Sequence, residues 1–276
     1  MGLISFSALR RISVIALGLV LISCGHPVLS THSDLPGNPW VEPVSDVSVV
    51  WSAGANIDLL KAPAVVLRAY VESYFLAVVS GDIERVYPGF TRAVPPPSAN
   101  DVRLDGTASR WPDTSSPVSG SLVGTKRMEI LRIDVTENHA TAVVCDWSLY
   151  TVAWDLGNGE YGYRQSGSPD SGVQMIQVNM TAPKVTTIPS SMPPQMGPSM
   201  SPTDDVFGGW RIDAAIFAAD KPHWDAWPTQ DRDYEACSNL APDSRERREF
   251  LRTGEHPRSD YPTLRPFPGW PVASSA

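Results

Sequence analysis

The stretch AVVLRAYVESYFLAVVSGDIERVYPGF, Ala64 to Phe90, decides the fold class. Val66, Leu67, Tyr70, Val71, Tyr74, Phe75, Val78 and Val79 recur at i, i+1, i+4 and i+5, a spacing that gives a helix one broad apolar face. Pro63 stands where such a helix begins, because its missing N–H falls among donors that lack an intrahelical partner anyway. Ser80-Gly81 ends it, since glycine takes the left-handed closing conformation without steric cost. Asp82 then predicts the cap of a second, shorter helix through Ile83, Val86 and Tyr87, stopped by Pro88-Gly89.

Downstream, residues 95–120 are rich in Pro, Ser and Asp and read as loop. The period then changes to two. Leu131, Ile133 and Val135 alternate with Arg132 and Asp134, and Thr136 to His139 form a turn into Ala140–Trp154, which reads as one bent strand. Val143, Cys145, Trp147 and Leu149 share one of its faces; Val144, Tyr150, Val152 and Trp154 share the other. Gly157-Asn158-Gly159 predicts a further turn before Tyr161–Arg164. Although GNGEYG at 157–162 matches GxGxxG literally, no helical period follows it, so it reads as a hairpin turn and not as a dinucleotide site. Val173–Met180 and Trp210–Ala218 supply two more strands across a Pro-, Ser- and Met-rich loop at 183–202.

The fold class expected is α+β, with the N-terminal helices packed on one face of an antiparallel sheet over residues 57–219. Residues 220–276 form a long, irregular C-terminal extension in which Trp224, Trp227, Tyr234, Tyr261, Phe267 and Trp270 are scattered among prolines, with a short helical run near 244–251 and partial order beyond Thr253. The Ala64–Phe90 segment resembles the opening helix, Gly-Asp junction and second helix of nuclear-transport-factor-2-like domains, and Gly208-Gly209-Trp210-Arg211-Ile212 is similar to one of their strand starts. The resemblance covers roughly residues 60–219. It implies a cone-like fold, a strongly curved sheet wrapped around a long helix with a pocket between them. The 95–120 loop stands where the family has a third helix.

At the other end, Arg10-Arg11 precede the apolar run Ile12–Ile22, too short for a bilayer-spanning helix, which takes about 20 residues. Leu21-Ile22-Ser23-Cys24 resembles the lipobox of bacterial lipoproteins, of the actinobacterial type. That resemblance implies a signal peptide over 1–23, diacylglyceryl transfer to Cys24 and anchoring at the extracytoplasmic face of the cell membrane. Residues 24–56 mix Pro27, Pro36, Pro39 and Pro43 with Ser, Asp and Gly without a period and read as a tether, whose later half, with Trp40, Val49, Val50 and Trp51, is apolar enough to lie against the domain. Export through the general secretory route or the twin-arginine route is left open. With Cys24 lipidated, Cys145 and Cys237 remain, an even pair in a disulfide-permissive compartment, and are expected to be bonded.

A formal charge of −8 without a basic stripe excludes a nucleic-acid partner. His26, His32, His139, His223 and His256 never fall at metal-ligand spacing, so neither a metal nor a cofactor is expected. Asn179-Met180-Thr181 reads as strand, not as a glycan acceptor. Some cone-fold relatives, of polyketide-cyclase and ketosteroid-isomerase type, keep a carboxylate in the apolar pocket. On that resemblance Asp146 is the weak catalytic candidate, with Tyr70 or Tyr74 as its donor, and Tyr70, Tyr74 and Trp147 are candidate pocket lining. No second acid or histidine converges on it by spacing. The function expected is a non-enzymatic, lipid-anchored envelope protein that binds a small apolar ligand or docks a partner protein. The alternatives are the cone-fold enzyme and a structural accessory of a transporter or cell-wall machine. Substituting Cys24→Ala is expected to abolish fatty-acid labelling and leave an uncleaved precursor; normal labelling of that variant would overturn the lipobox reading.

Overall fold

The computed structural model describes residues 38–163, 172–184, 193–218 and 225–272. The signal segment 1–23, Cys24, the tether up to residue 37, Arg164, Trp224 and part of the 183–202 loop lie outside the described residues. In chain order the elements are β1 (Asp46–Ala53), α1 (Ala64–Ser80), α2 (Phe90–Ala93), β2 (Leu122–Thr136), β3 (His139–Asp146), α3 (Ser148–Thr151), β4 (Val152–Gly157), β5 (Glu160–Gly162), β6 (Gln174–Thr181), β7 (Arg211–Ala218), α4 (Gln230–Asn239), α5 (Arg245–Leu251) and β8 (His256–Pro257). All strands belong to one sheet, which does not close on itself. It is antiparallel apart from the β1–β2 pair.

Strand β2 is the spine. One edge carries β1, in parallel from Asp46↔Val123 to Ala53↔Ile130. The other carries β3 beside its C-terminal half and β4 beside its first residues. From β3 the sheet continues through β6 to the edge strand β7, and from β4 through β5 to β8. Strand β1 corrects the tether boundary read from the sequence. Within residues 24–56, Val47, Val49 and Trp51 are buried at period two, and Trp40 and Val44 are buried ahead of them. The alternation is hidden in the sequence by the apolar Val50 between them, and the strand's partner lies 77 residues downstream.

Helix α1 begins after Pro63 and closes on Gly81 at φ +68°, where an added Cβ would also stand 2.8 Å from the Pro117 side chain. It is buried nearly all round, Arg68, Glu72 and Ser73 included. The second helix expected from Asp82 shrinks to a single 3₁₀ turn at Ile83–Arg85, although Asp82 does cap it by accepting from the Glu84 N–H at 2.9 Å. Pro88 disfavours helical backbone at Tyr87, and Tyr87 is drawn beneath α1 instead. The bent strand expected over 140–154 is interrupted by α3: the Asp146 carboxylate accepts the Ser148 N–H at 2.9 Å and turns the chain. Tyr150 consequently packs with Cys145 and not with Val144. Gly157-Asn158-Gly159 does turn β4 into β5.

The two faces of the sheet carry different layers. Ile130, Ala142, Val144, Ile176 and Val178 face α1. Val143, Cys145 and Met175 face the opposite side, where Trp227, Cys237, Leu251 and Tyr261 cover them. The chain from Trp227 to Tyr261 is therefore a second layer on the sheet, while its end returns to the α1 side with Trp270, and order continues past Thr253 because Tyr261 and Trp270 are buried at 1% exposure. A disulfide joins Cys145 on β3 to Cys237 on α4 across a separation of 92 residues. Replacing both cysteines with alanine is expected to lower the unfolding free energy by about 2–5 kcal/mol, the range for staples closing long loops. The check is the urea midpoint; an unchanged midpoint would show that the second layer holds without its bond.

Candidate functional site

The face of the sheet under α1 is where a cone-like domain would hold its pocket, and here that space is occupied. Glu72, on α1, accepts three hydrogen bonds from three separate parts of the chain. Trp51 Nε1 of β1 donates at 2.7 Å, the Tyr87 hydroxyl at 2.8 Å, and Trp270 Nε1 at 2.8 Å. Trp40 Nε1 in turn donates to the Tyr87 oxygen at 2.9 Å. One helical turn before Glu72, the Arg68 guanidinium lies 4.3 Å from the Trp270 ring centre and donates to the Leu59, Gln195 and Gly269 carbonyls. The space remaining beside Arg68, Glu72 and Trp270 is about 10 Å³, room for about one water. Burial pushes the Glu72 carboxyl above its ordinary value of 4.5, against the opposing pull of Arg68 and the three donors.

Asp146 lies on the same face of the sheet and is buried, but it is not free for chemistry. One carboxylate oxygen meets Lys126 Nζ at 2.5 Å and the other accepts the Ser148 N–H. Lys126 also donates to Ser148 Oγ at 3.1 Å and lies 5.0 Å from the Phe75 ring centre. The hydrogen-bonded pair thus neutralises itself, as buried charges must. Neither tyrosine donates to Asp146. The Tyr70 hydroxyl donates to the Arg110 carbonyl at 2.9 Å. Trp147, on the opposite face, donates to the Cys237 carbonyl at 3.1 Å. Of the three residues expected to line a common pocket, only Tyr74 lines the cleft described next.

That cleft, of about 270 Å³, opens where α1, the edge strand β7 and the 95–120 loop meet, and its walls include Tyr74, Arg103, Ser109, Trp111, Asp113 and Phe217. Tyr74 and Phe217 stack with ring centres 4.4 Å apart, and Trp111 packs against Phe90 at 6.0 Å. The loop is a built wall. Buried Arg110 donates to the Pro95, Pro96 and Thr107 carbonyls and pairs with Asp101 at 2.7 Å. The Gly106 carbonyl accepts the Ala215 N–H at 3.0 Å, fastening the loop to β7. Gly106, at φ +82°, is needed there because a Cβ would stand 2.8 Å from the Ala215 backbone.

The polar groups in the cleft differ from those in the core. Among the described residues the Tyr74 hydroxyl, the Trp111 indole N–H and the Arg103 guanidinium have no hydrogen-bond or ion-pair partner. Asp113 accepts from Ser115 at 3.0 Å; those bonds, with Arg103 nearby, hold its carboxyl below the ordinary 3.8. Burial pushes Tyr74 up to about 12, so its hydroxyl is a neutral donor. No family model, curated protein or solved structure matches the chain. Among the described residues no group of three or more His, Cys, Asp or Glu side chains could hold a metal, and no helix is long and apolar enough to cross a membrane.

Sequence reasoning passed over Arg103, Trp111 and Asp113 because they sit in a segment without period. The available signal was a tryptophan and an arginine inside an otherwise Pro/Ser/Asp-rich loop. It also passed over Arg68 and Glu72, whose charges on an otherwise apolar helix are the sequence mark of the buried knot. Because the folded pKa of Glu72 is raised, its contribution is fully present below the unfolded value near 4.5 and is lost as pH rises through the folded value. Glu72→Gln cannot accept from all three donors and is expected to cost about 1–3 kcal/mol. The gap between wild type and variant should narrow as pH rises from 4 through that window. Urea unfolding at a series of pH values checks it, and a gap that widens with pH would reverse the sign assigned to Glu72.

Proposed function

We propose that the chain is a lipid-anchored protein of the bacterial cell envelope, held at the extracytoplasmic face through Cys24, that binds a ligand and performs no chemistry. Its domain is of the nuclear-transport-factor-2-like type with the interior filled, and its binding site is the Tyr74–Trp111–Phe217 cleft. The observation that carries the reading is the contrast between the two places. Under α1, Trp51, Tyr87 and Trp270 close the interior on Glu72, whereas the open cleft is lined by three aromatic residues, and Tyr74, Trp111 and Arg103 among its lining carry donors left without a protein partner among the described residues.

Small molecules bind in concavities where apolar and aromatic walls carry a few polar groups, and this cleft, though small, has that make-up. The enzymatic alternative is weakened because the acid it needs, Asp146, is neutralised by Lys126. Docking of a whole partner protein is less well supported than a small ligand, since the cleft is narrow and its wall is fixed by Arg110.

The test is an ¹⁵N spectrum of the indole N–H groups, with Trp111 assigned by Trp111→Phe, during titration with single-ring fragments of apolar and polar kinds. The Trp111 resonance is expected to move while those of Trp51 and Trp270 stay. Movement of Trp51 and Trp270 with Trp111 unmoved would place the ligand in the interior and sink the cleft reading.

A further inference from the structure

We infer that the cleft is a saccharide subsite that takes one neutral pyranose ring of a glycan, its face on Phe217 and its hydroxyls between Arg103 and Asp113. The inference rests on the reading of this cleft as the binding site and adds the chemical class of the ligand.

Charge comes first. Arg103 and Asp113 are both exposed at the mouth and, among the described residues, form no ion pair with one another. A ligand with net negative charge meets Asp113, which its Ser115 bonds keep ionised. A ligand with net positive charge meets Arg103. A neutral ligand that both donates and accepts satisfies the two, and a hydroxyl does both.

The neutral groups narrow the class further. An entirely apolar ligand would cover the Tyr74 hydroxyl, the Trp111 N–H and both charged groups without replacing their bonds to water. Each uncompensated group costs about 1–3 kcal/mol, more for the charges. An amino-acid zwitterion would have to serve Arg103 and the Tyr74 and Trp111 donors from one carboxylate. A sugar ring carries several hydroxyls around its rim, one for each of the four groups.

Shape agrees. The inner face of the Phe217 ring is covered by Tyr74, stacked at 30°, while Phe217 itself keeps 36% exposure, so it offers one open aromatic face. The axial C–H groups of a pyranose pack on such a face. At about 270 Å³ the cleft lies just below the usual range for drug-sized ligands, about 300–1,000 Å³, and suits one ring. Arg110 fixes the loop before any ligand arrives, so little ordering cost is left for binding.

The experiment uses saturation-transfer NMR on the chain with methyl glycosides of glucose, galactose, mannose and N-acetylglucosamine, and with phenylalanine and benzoate as rival probes. At least one glycoside is expected to receive saturation at its ring C–H protons. Arg103→Ala and Phe217→Ala should each weaken its binding about tenfold or more, with the melting temperature kept for the exposed Arg103 and the variant still cooperatively folded for Phe217, whose inner face packs on Tyr74. Arg245→Ala, on α5, should bind as wild type does. Glycoside binding that both cleft variants leave intact would overturn the proposal. So would binding of phenylalanine or benzoate alone in a manner that depends on Arg103 and Phe217; that result would reject the sugar and retain the cleft. Silence from every probe would remove both.

Discussion

One carboxylate organises this molecule. Glu72 sits in the middle of the central helix, 2% exposed, and a buried acid is tolerated only when its lone pairs are engaged. The three donors that engage them come from the first strand, from the turn after the helix and from the C-terminal segment. Each is also a large aromatic body, so the groups that satisfy the charge fill the space around it. Desolvation and packing are thus solved by the same side chains, and the strand β1, the Tyr87 turn and the Trp270 segment take their positions from that solution. Arg68 extends it by tying the Leu59, Gln195 and Gly269 carbonyls to the helix.

The elements that the sequence made legible are those whose stability is local. Helix α1 runs from Ala64 to Ser80, as Pro63 and Gly81 indicate, and β6 and β7 fall within a residue or two of the alternating runs at 173–180 and 210–218. What stayed hidden depends on partners distant in sequence. Strand β1 pairs in parallel with residues far downstream; Trp40, Val49, Val50 and Trp51 mark the segment as apolar enough to lie against the domain, but nothing local marks it as a strand. The break at Ser148–Thr151 is caused by the Asp146 carboxylate bonding back to the chain, which alternation cannot reveal. The order of the segment beyond Thr253 follows from the burial of Tyr261 and Trp270, which composition alone does not convey.

The cleft was hidden for a related reason. Tyr74 is visible as part of the helical stripe, but half of the wall comes from a loop that has no period and no regular structure. It is held by a buried arginine, Arg110, bonded to four carbonyl or carboxylate groups of the same loop, and by the Ala215 N–H on the Gly106 carbonyl. Binding surfaces tend to sit on loops held by a scaffold. Here the internal scaffold is the Arg110 side chain, its residue seated on the core through the bond from Tyr70 to its carbonyl.

The contact between Trp270 and Glu72 spans 198 residues of chain. At roughly 5–20 residues per second of synthesis, the indole arrives about 10–40 seconds after the carboxylate it satisfies. Throughout that interval the central helix holds a charge with nothing to cover one side of it, and the compact state stays out of reach. The delay acts as a timer set by the order of the chain itself: the bond that locks the structure cannot form until nearly all of the described chain has been synthesised.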